Sequence, residues 1–374
     1  MLVTPVFALY RAVAAPLAIV VLASIAPTRL WGVTPQATER AQCRRDRRTV
    51  ENTHEQHNND LIRWRARWSG NDCRVDITAS GEVRFNSDFT DIASVGNGGW
   101  LDIIDVDGNT TRRLTMRPDR SGQMDRTYYL NGREQAWDDS GRRWLAGLLI
   151  ELDRVSAVGV DYRFPSLYAA GGARAVLDDV EKMESDYPRS VYLRRLLERG
   201  RLSDAEYQRV VDVAGREMSS DYEISRVLRA VAERASLDND GMRSAYLAAV
   251  GRMSSDYERS RVLQTIFAKS SISREVARAA VRAAGSFRSD YERSRVLLAA
   301  IKSDALRDED VLPILETVTH SSSDYEKSRV LMAVAARWTL TGDNRKAYLR
   351  AADTIRSDYE NRRVLSALVR QEAR

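Results

Sequence analysis

Three histidines, His54, His57 and His320, are the only imidazoles this 374-residue chain offers for acid–base or metal chemistry. Two stand in His54-Glu55-Gln56-His57, which has metal-ligand residue types at the wrong spacing. A zinc-peptidase helix places its histidines four apart on one face, with the glutamate after the first as general base. Here they are three apart in a polar stretch, so no metal is expected. Asp105-Val106-Asp107-Gly108-Asn109 opens like a calcium loop but lacks the remaining oxygen ligands and the closing glutamate, and reads as a hairpin turn. No GxSxG elbow, glycine-rich phosphate loop, cysteine pairs for zinc or nucleophile–base arrangement is present. The expectation is a non-enzyme without catalytic residues, cofactor or metal. The competing class is an envelope-polymer hydrolase working with a carboxylate pair about 5 to 9 Å apart.

The pattern that does recur is a phrase: SDYPRSVYL, SDYEISRVL, SDYERSRVL twice, SDYEKSRVL and SDYENRRVL, with tyrosines Tyr187, Tyr222, Tyr257, Tyr291, Tyr325 and Tyr359. Their spacing of 34 or 35 residues is that of one helix-turn-helix unit, and such units stack because none buries its apolar face alone. Ser255-Asp256-Tyr257-Glu258 reads as a capping box: Ser255 accepts from the N–H near Glu258, the Glu258 carboxylate reaches back to the Ser255 N–H, and Asp256 suits the positive helix end. The same box recurs at Ser220/Glu223, Ser289/Glu292, Ser323/Glu326 and Ser357/Glu360. One turn on stand Ser225, Ser260, Ser294 and Ser328, small enough for a neighbouring helix to approach, each followed by Arg226, Arg261, Arg295 or Arg329. The last copy has bulky Arg362 before Arg363, as suits a terminal repeat. The Tyr-Ser-Arg set is expected to maintain packing, with a ligand-binding stripe that makes partner contacts as the alternative. On the packing reading the tyrosines are core residues and Tyr257→Ala opens a cavity costing several kcal/mol; each arginine lies three residues after its box glutamate and is placed also to meet the Asp or Glu of the adjacent repeat as a charge ladder.

Between the phrases lie weaker apolar periods, including AEYQRVVDVAG, RSAYLAAVG and EDVLPILETV, which supply a second helix per repeat. Gly215, Gly251 and Gly285 fall where these helices are expected to end. The fold class is therefore α+β, mostly α: a HEAT-like or tetratricopeptide-like α-solenoid of six repeats, preceded by a small antiparallel β-module. The module shows in the alternation of Ile62, Trp64, Ala66 and Trp68 with Arg63, Arg65 and Arg67. Strands are also expected at 73–77, 82–85, 100–106, 110–116 and 126–130, with turns at Ser80-Gly81, Asp107-Gly108 and Asn131-Gly132. A helix opening at Ser140 carries Trp144, Leu145, Leu148, Leu149 and Leu152 on one face and closes the sheet.

The uncharged run from Ala12 to Ala26 has the length of a signal-peptide core. Pro27 disfavours cleavage after Ala26, so an uncleaved single-pass anchor is the favoured form of an exported chain; a buried apolar helix is the bland alternative. The division expected is 1–31 signal peptide or anchor, 32–60 polar tether, 61–158 β-rich module with closing helix, and 159–374 solenoid. Only two cysteines occur, Cys43 and Cys73. An oxidising compartment would bridge them, stabilising by about 3 kcal/mol, whereas in the cytosol both are thiols. The net charge of +5 arises from 58 basic and 53 acidic residues intermixed, which implies no nucleic-acid footprint.

From Trp100 through YYLNGREQAWDDSGRRWLAGLL to AAGGARAVLDDVEKMESDYPRSVYLRRLL and the SDYE-type repeats, roughly residues 61 to 374, the chain resembles the extracytoplasmic C-terminal regions of bacterial BlaR-like sensor metallopeptidases and related membrane proteins. That resemblance implies a membrane-tethered sensory or scaffolding region. It does not carry over peptidase activity, because the HExxH motif and the several membrane helices of that family are missing from this sequence. The expected function is a non-catalytic protein-interaction or sensing module of the cell envelope, held in the inner membrane facing the periplasm or secreted. Its expected partners are envelope proteins, and the membrane through the N-terminal segment, with no nucleic acid. A signal-transduction subunit beside a separate envelope peptidase or anti-sigma system is the alternative.

Overall fold

The computed structural model describes residues 49–56, 62–70, 72–96, 98–119, 121, 123–199, 202–269 and 272–372. The expected signal or anchor segment, Cys43 and His57 lie outside them. No helix among the described residues is long and apolar enough to cross a membrane.

The chain is α+β and mostly α, with an N-terminal antiparallel sheet followed by a two-layer array of helices. The sheet runs β1 (Thr49–Gln56), β2 (Ile62–Ser69), β3 (Cys73–Ser80), β6 (Trp100–Asp107), β7 (Thr110–Pro118), β8 (Met124–Leu130) and β9 (Arg133–Gln135). A separate ribbon pairs β4 (Val83–Phe85) with β5 (Ile92–Val95). Part of the expected tether is thus β1, antiparallel to β2 with His54 opposite Trp64 in register, so the His-Glu-Gln-His run enters a strand rather than a helix. The alternation in β2 is real: Ala66 and Trp68 are buried, while Arg65 and Arg67 turn outward and share the Asp76 carboxylate of β3 at 2.8 and 2.7 Å. Leu130 pairs with Arg133 across Asn131 and Gly132, both at positive φ (51° and 78°), the backbone a two-residue hairpin of right-handed twist requires.

Helix α1 (Asp139–Ser156) is capped by Asp138, two residues before the expected start, and lays Leu145, Leu148, Leu149 and Leu152 on the sheet core. Asp105, the residue with a calcium-loop look, is buried and accepts the Trp144 indole N–H at 2.6 Å. Its role is structural. Helix α2 (Val160–Val180), broken at Gly171 and Gly172, then leads into the array. Arg163 of α2 donates to Asp179 at 2.5 and 2.6 Å and to Asp153 of α1 at 3.1 Å. Asp153 also accepts the hydroxyl of Tyr192 from α3 (Asp186–Arg199). This buried set joins the closing helix of the sheet to the first repeat.

The first helices of the six repeats, α3, α5 (Asp221–Arg234), α7 (Asp256–Phe267), α9 (Asp290–Lys302), α11 (Asp324–Arg337) and α13 (Asp358–Glu372), pack in sequence as one layer. Their partners α4 (Asp204–Arg216), α6 (Asp240–Arg252), α8 (Arg274–Ala284), α10 (Val311–Thr319) and α12 (Gly342–Asp353) form the second. One apolar core runs from Ala157 to Leu368 between them. Gly215, Gly251 and Gly285 do fall at the ends of α4, α6 and α8, Gly285 as the C-cap, but not in a left-handed turn. Gly215 lies within α4, where a Cβ would stand 2.7 Å from that of Ala249, so glycine there permits close approach of α4 and α6. Two second-layer helices instead have their C-cap carbonyls met from the first layer: Arg189 donates to the Glu217 carbonyl after α4, and Lys327 to the Thr354 carbonyl after α12 at 3.1 Å.

Candidate functional site

The serine caps form as expected, but the rest of the box is rewired. Ser220, Ser255, Ser289 and Ser323 each accept from the backbone N–H of the glutamate three residues on. The N-cap N–H, however, is taken by the aspartate of the preceding repeat. Asp186 accepts from Ser219 and Ser220, Asp221 from Ser254 and Ser255, Asp256 from Arg288 and Ser289, Asp290 from Ser322 and Ser323, and Asp324 from Arg356 and Ser357, at 2.6 to 3.0 Å. Each aspartate therefore complements the start of the next helix as well as its own.

That exchange frees the glutamates. They are buried, and each holds the arginine three residues on: Glu223–Arg226, Glu258–Arg261, Glu292–Arg295, Glu326–Arg329 and Glu360–Arg363, at 2.8 to 3.3 Å. The arginines thus pair with the box glutamate three residues back, within their own repeat, and the further ladder to acids of the adjacent repeat is not among these pairs. The link between repeats is carried by the aspartates and by the spacer serines, since Ser294 donates to Glu326 and Ser328 to Glu360. Ser190, Ser225, Ser260, Ser294 and Ser328 are all buried, so the small-residue requirement holds.

The tyrosines are the main correction. Tyr187, Tyr222, Tyr257, Tyr291, Tyr325 and Tyr359 are 50 to 65% exposed and fill no cavity. They sit second in each first-layer helix; Tyr222, Tyr257, Tyr291 and Tyr325 lie between an aspartate directed at the next repeat and a glutamate turned inward, and this geometry leaves the intervening side chain on the outside, while Tyr187 is followed by Pro188 instead. Five carry an arginine over the ring: Arg226, Arg261, Arg295 and Arg329 and Arg363 lie 5.5 to 5.7 Å from the centroids. Val191 holds that place beside Tyr187. The buried aromatics of the repeats are others: Tyr192, Tyr246 and Tyr348, with Phe267, Phe287 and Trp338.

Behind the tyrosine row the same faces present a shallow line of small side chains, Ala230, Thr265, Ala299 and Ala333, all partly exposed. Seven residues after the first two tyrosines stand Arg194 and Arg229, neither in an ion pair with a described residue. Burial and the neighbouring Arg226 push the Arg194 pKa down. Tyr187 lies at the mouth of a cavity of about 540 Å³ formed by β2 and the turn after α1, where Trp64, Ala66, Val155 and Val158 supply the walls. The face is thus an aromatic ridge with paired cations, a small-residue floor and unpaired arginines at one end.

Tyr222 with Arg226 through Tyr359 with Arg363 come together as one stripe. Sequence reading missed that the stripe is external, and missed Arg194 and Arg229, which only the seven-residue step along a helix face brings beside it. Cys73 is disulfide-bonded; Cys43, the only other cysteine, lies outside the described residues. Among the described residues no group of three or more His, Cys, Asp or Glu side chains is arranged to hold a metal ion. At the α1–α2 junction, burial raises the Asp153 pKa despite its donors, whereas Asp179, also buried, is held below the usual carboxylate range by Arg163 and Arg154.

No family model, curated protein or solved structure matches the chain. The resemblance to BlaR-like sensor regions gains no support from these comparisons.

Proposed function

We propose that this chain is a non-catalytic binding scaffold, an α-solenoid joined to a small β-module, that engages a protein partner along its tyrosine stripe. One observation carries the reading: six half-exposed tyrosines recur at one position of a repeat whose packing uses other aromatics. An exposed Tyr–Arg pair contributes about 0.5–1 kcal/mol to its own helix, a small return for keeping a large ring in water six times. Tyrosine and arginine are also, with tryptophan, the residue types enriched among those that dominate binding energy at interfaces. The cell-envelope location belongs to the same proposal and rests on the apolar segment at 12–26 and on the bridged Cys73. A signalling subunit would need two arrangements of module and solenoid, and the buried Arg163–Asp179–Asp153–Tyr192 set weighs against a hinge at that junction.

The test replaces Tyr222, Tyr257 and Tyr291 by Ser in the full chain. Crosslinked partners are then compared with wild type in membranes of the native host, with proteinase accessibility scored on the same sample. A discrete envelope partner lost in the variant, at unchanged melting temperature, supports the scaffold. A partner retained in full, or recovery of the chain in the cytosol, contradicts it.

A further inference from the structure

Resting on the scaffold reading, we propose that the stripe takes a proline-rich segment in the polyproline II conformation, with an acidic residue at the end that lies over α3 and α5. The first reason is dimensional. Packed helices stand about 8–10 Å apart, so the tyrosines of successive first-layer helices repeat at about that step. A polyproline II chain has three residues per turn at about 3.1 Å each, or about 9.3 Å per turn, and presents the same side to every helix. A β-strand repeats every two residues, about 6.6–6.8 Å, and falls out of step.

The second reason is what the layer offers. Its backbone N–H groups are spent within helices and caps, so it has no edge to which a strand could be added. Polyproline II asks for none, because its backbone stays solvated and it docks through ring faces on aromatic grooves. Tyr222, Tyr257 and Tyr291 offer half-exposed rings at one position of successive helices, with partly exposed Ala230, Thr265 and Ala299 two turns on.

The third reason is charge. Along the stripe every arginine beside a tyrosine is already held by a buried glutamate, which suits a neutral ligand. At the start Arg194 and Arg229 stand in no ion pair with a described residue: Arg229 donates to the Thr265 hydroxyl at 3.3 Å, and Arg194, whose Nε is buried without a hydrogen bond, has Glu198 and Glu223 only within electrostatic reach. An acidic residue at that end of the ligand completes them and sets its direction.

The experiment titrates the full chain with synthetic peptides, each an acidic pair followed by about two to about six Pro-Ala-Pro triplets, the pair placed at either terminus. Affinity is expected to rise about two- to fivefold per triplet. Replacing the acidic pair by Gln, or Arg194 and Arg229 by Gln, is expected to weaken binding similarly, and the two changes together to cost little more than one. No binding by the longest peptide, affinity independent of length, or binding instead of an oligosaccharide or single-stranded oligonucleotide of equal length would overturn the proposal. If the tyrosine variant loses its envelope partner while no proline peptide binds, the scaffold stands and only this ligand class falls.

Discussion

The carboxylate of Asp256 accepts the backbone N–H of Ser289 at 2.7 Å and that of Arg288 at 2.6 Å, so the first turn of one repeat completes the N-cap of the next. A capping box normally closes on itself through its own glutamate. Here closure passes across the repeat boundary, the glutamate turns inward to hold an arginine, and the tyrosine between them is left outside. The caps and the exposed stripe thus come from one hydrogen-bond exchange.

Asp256→Ala leaves the Ser289 cap N–H, partly buried, without its acceptor and is expected to cost about 1–3 kcal/mol. Asp358 is exposed and completes no further cap among the described residues, so Asp358→Ala is expected to cost less than about 1 kcal/mol. Urea unfolding of the two variants makes the comparison. Equal losses would mean that the aspartates act only on their own helices.

Acid should loosen the stack. Burial alone would raise the Asp290 pKa, but donors from Ser322, Ser323 and Arg293 outweigh it and hold the carboxyl below its usual range. Asp310, held down against burial by Arg274, Arg307 and Arg278, behaves alike. A depressed folded pKa gives stability that is present above the unfolded value of about 3.9 and lost as pH falls through the folded one. Asp153, raised by burial, contributes in the opposite sense. The urea midpoint should therefore hold steady down to about pH 4 and drop below it, with Asp290→Asn reducing the drop. An undiminished drop in that variant would exclude Asp290 as a source.

Tyr257→Ala and Tyr246→Ala should separate sharply. Tyr257 is 52% exposed and its loss should cost about 1 kcal/mol or less. Tyr246 is fully buried and donates to the Leu228 carbonyl at 3.1 Å, so its truncation should cost about 3–5 kcal/mol. Thermal or urea melts suffice, and comparable losses would return Tyr257 to the core.

Ser294→Arg should be severely destabilising, because a buried donor to Glu326 gives way to a side chain with no room. The reverse change in the last repeat, Arg362→Ser, should be nearly neutral, since Arg362 is exposed. A Ser294→Arg protein as stable as wild type would contradict the close packing of α9 against α11.

The legible parts of this chain were those set by local chemistry. Ser220, Ser255, Ser289 and Ser323 announced helix starts because the serine cap acts within its own first turn, and Asn131-Gly132 announced its hairpin because few residues take positive φ. The tyrosines misled because recurrence in a repeat is shared by core residues and by surfaces, and only the partner of Asp256, a full repeat away, decides which side Tyr257 takes. Arg163, Asp179, Asp153 and Tyr192 were invisible for the same reason: they meet from three helices and follow no period. Strand β1 was missed because the polar run Thr49–Gln56 lacks apolar alternation and is held by pairing with β2.

The most direct test of the scaffold places a photo-crosslinking amino acid at position 257 of the first layer, or at exposed position 282 of the second, in the full chain in its native host. The account predicts a discrete protein adduct from position 257 that disappears when Tyr222 and Tyr291 are changed to Ser, and none from position 282. An adduct from position 282 alone, or one from position 257 indifferent to the neighbouring tyrosines, would contradict it.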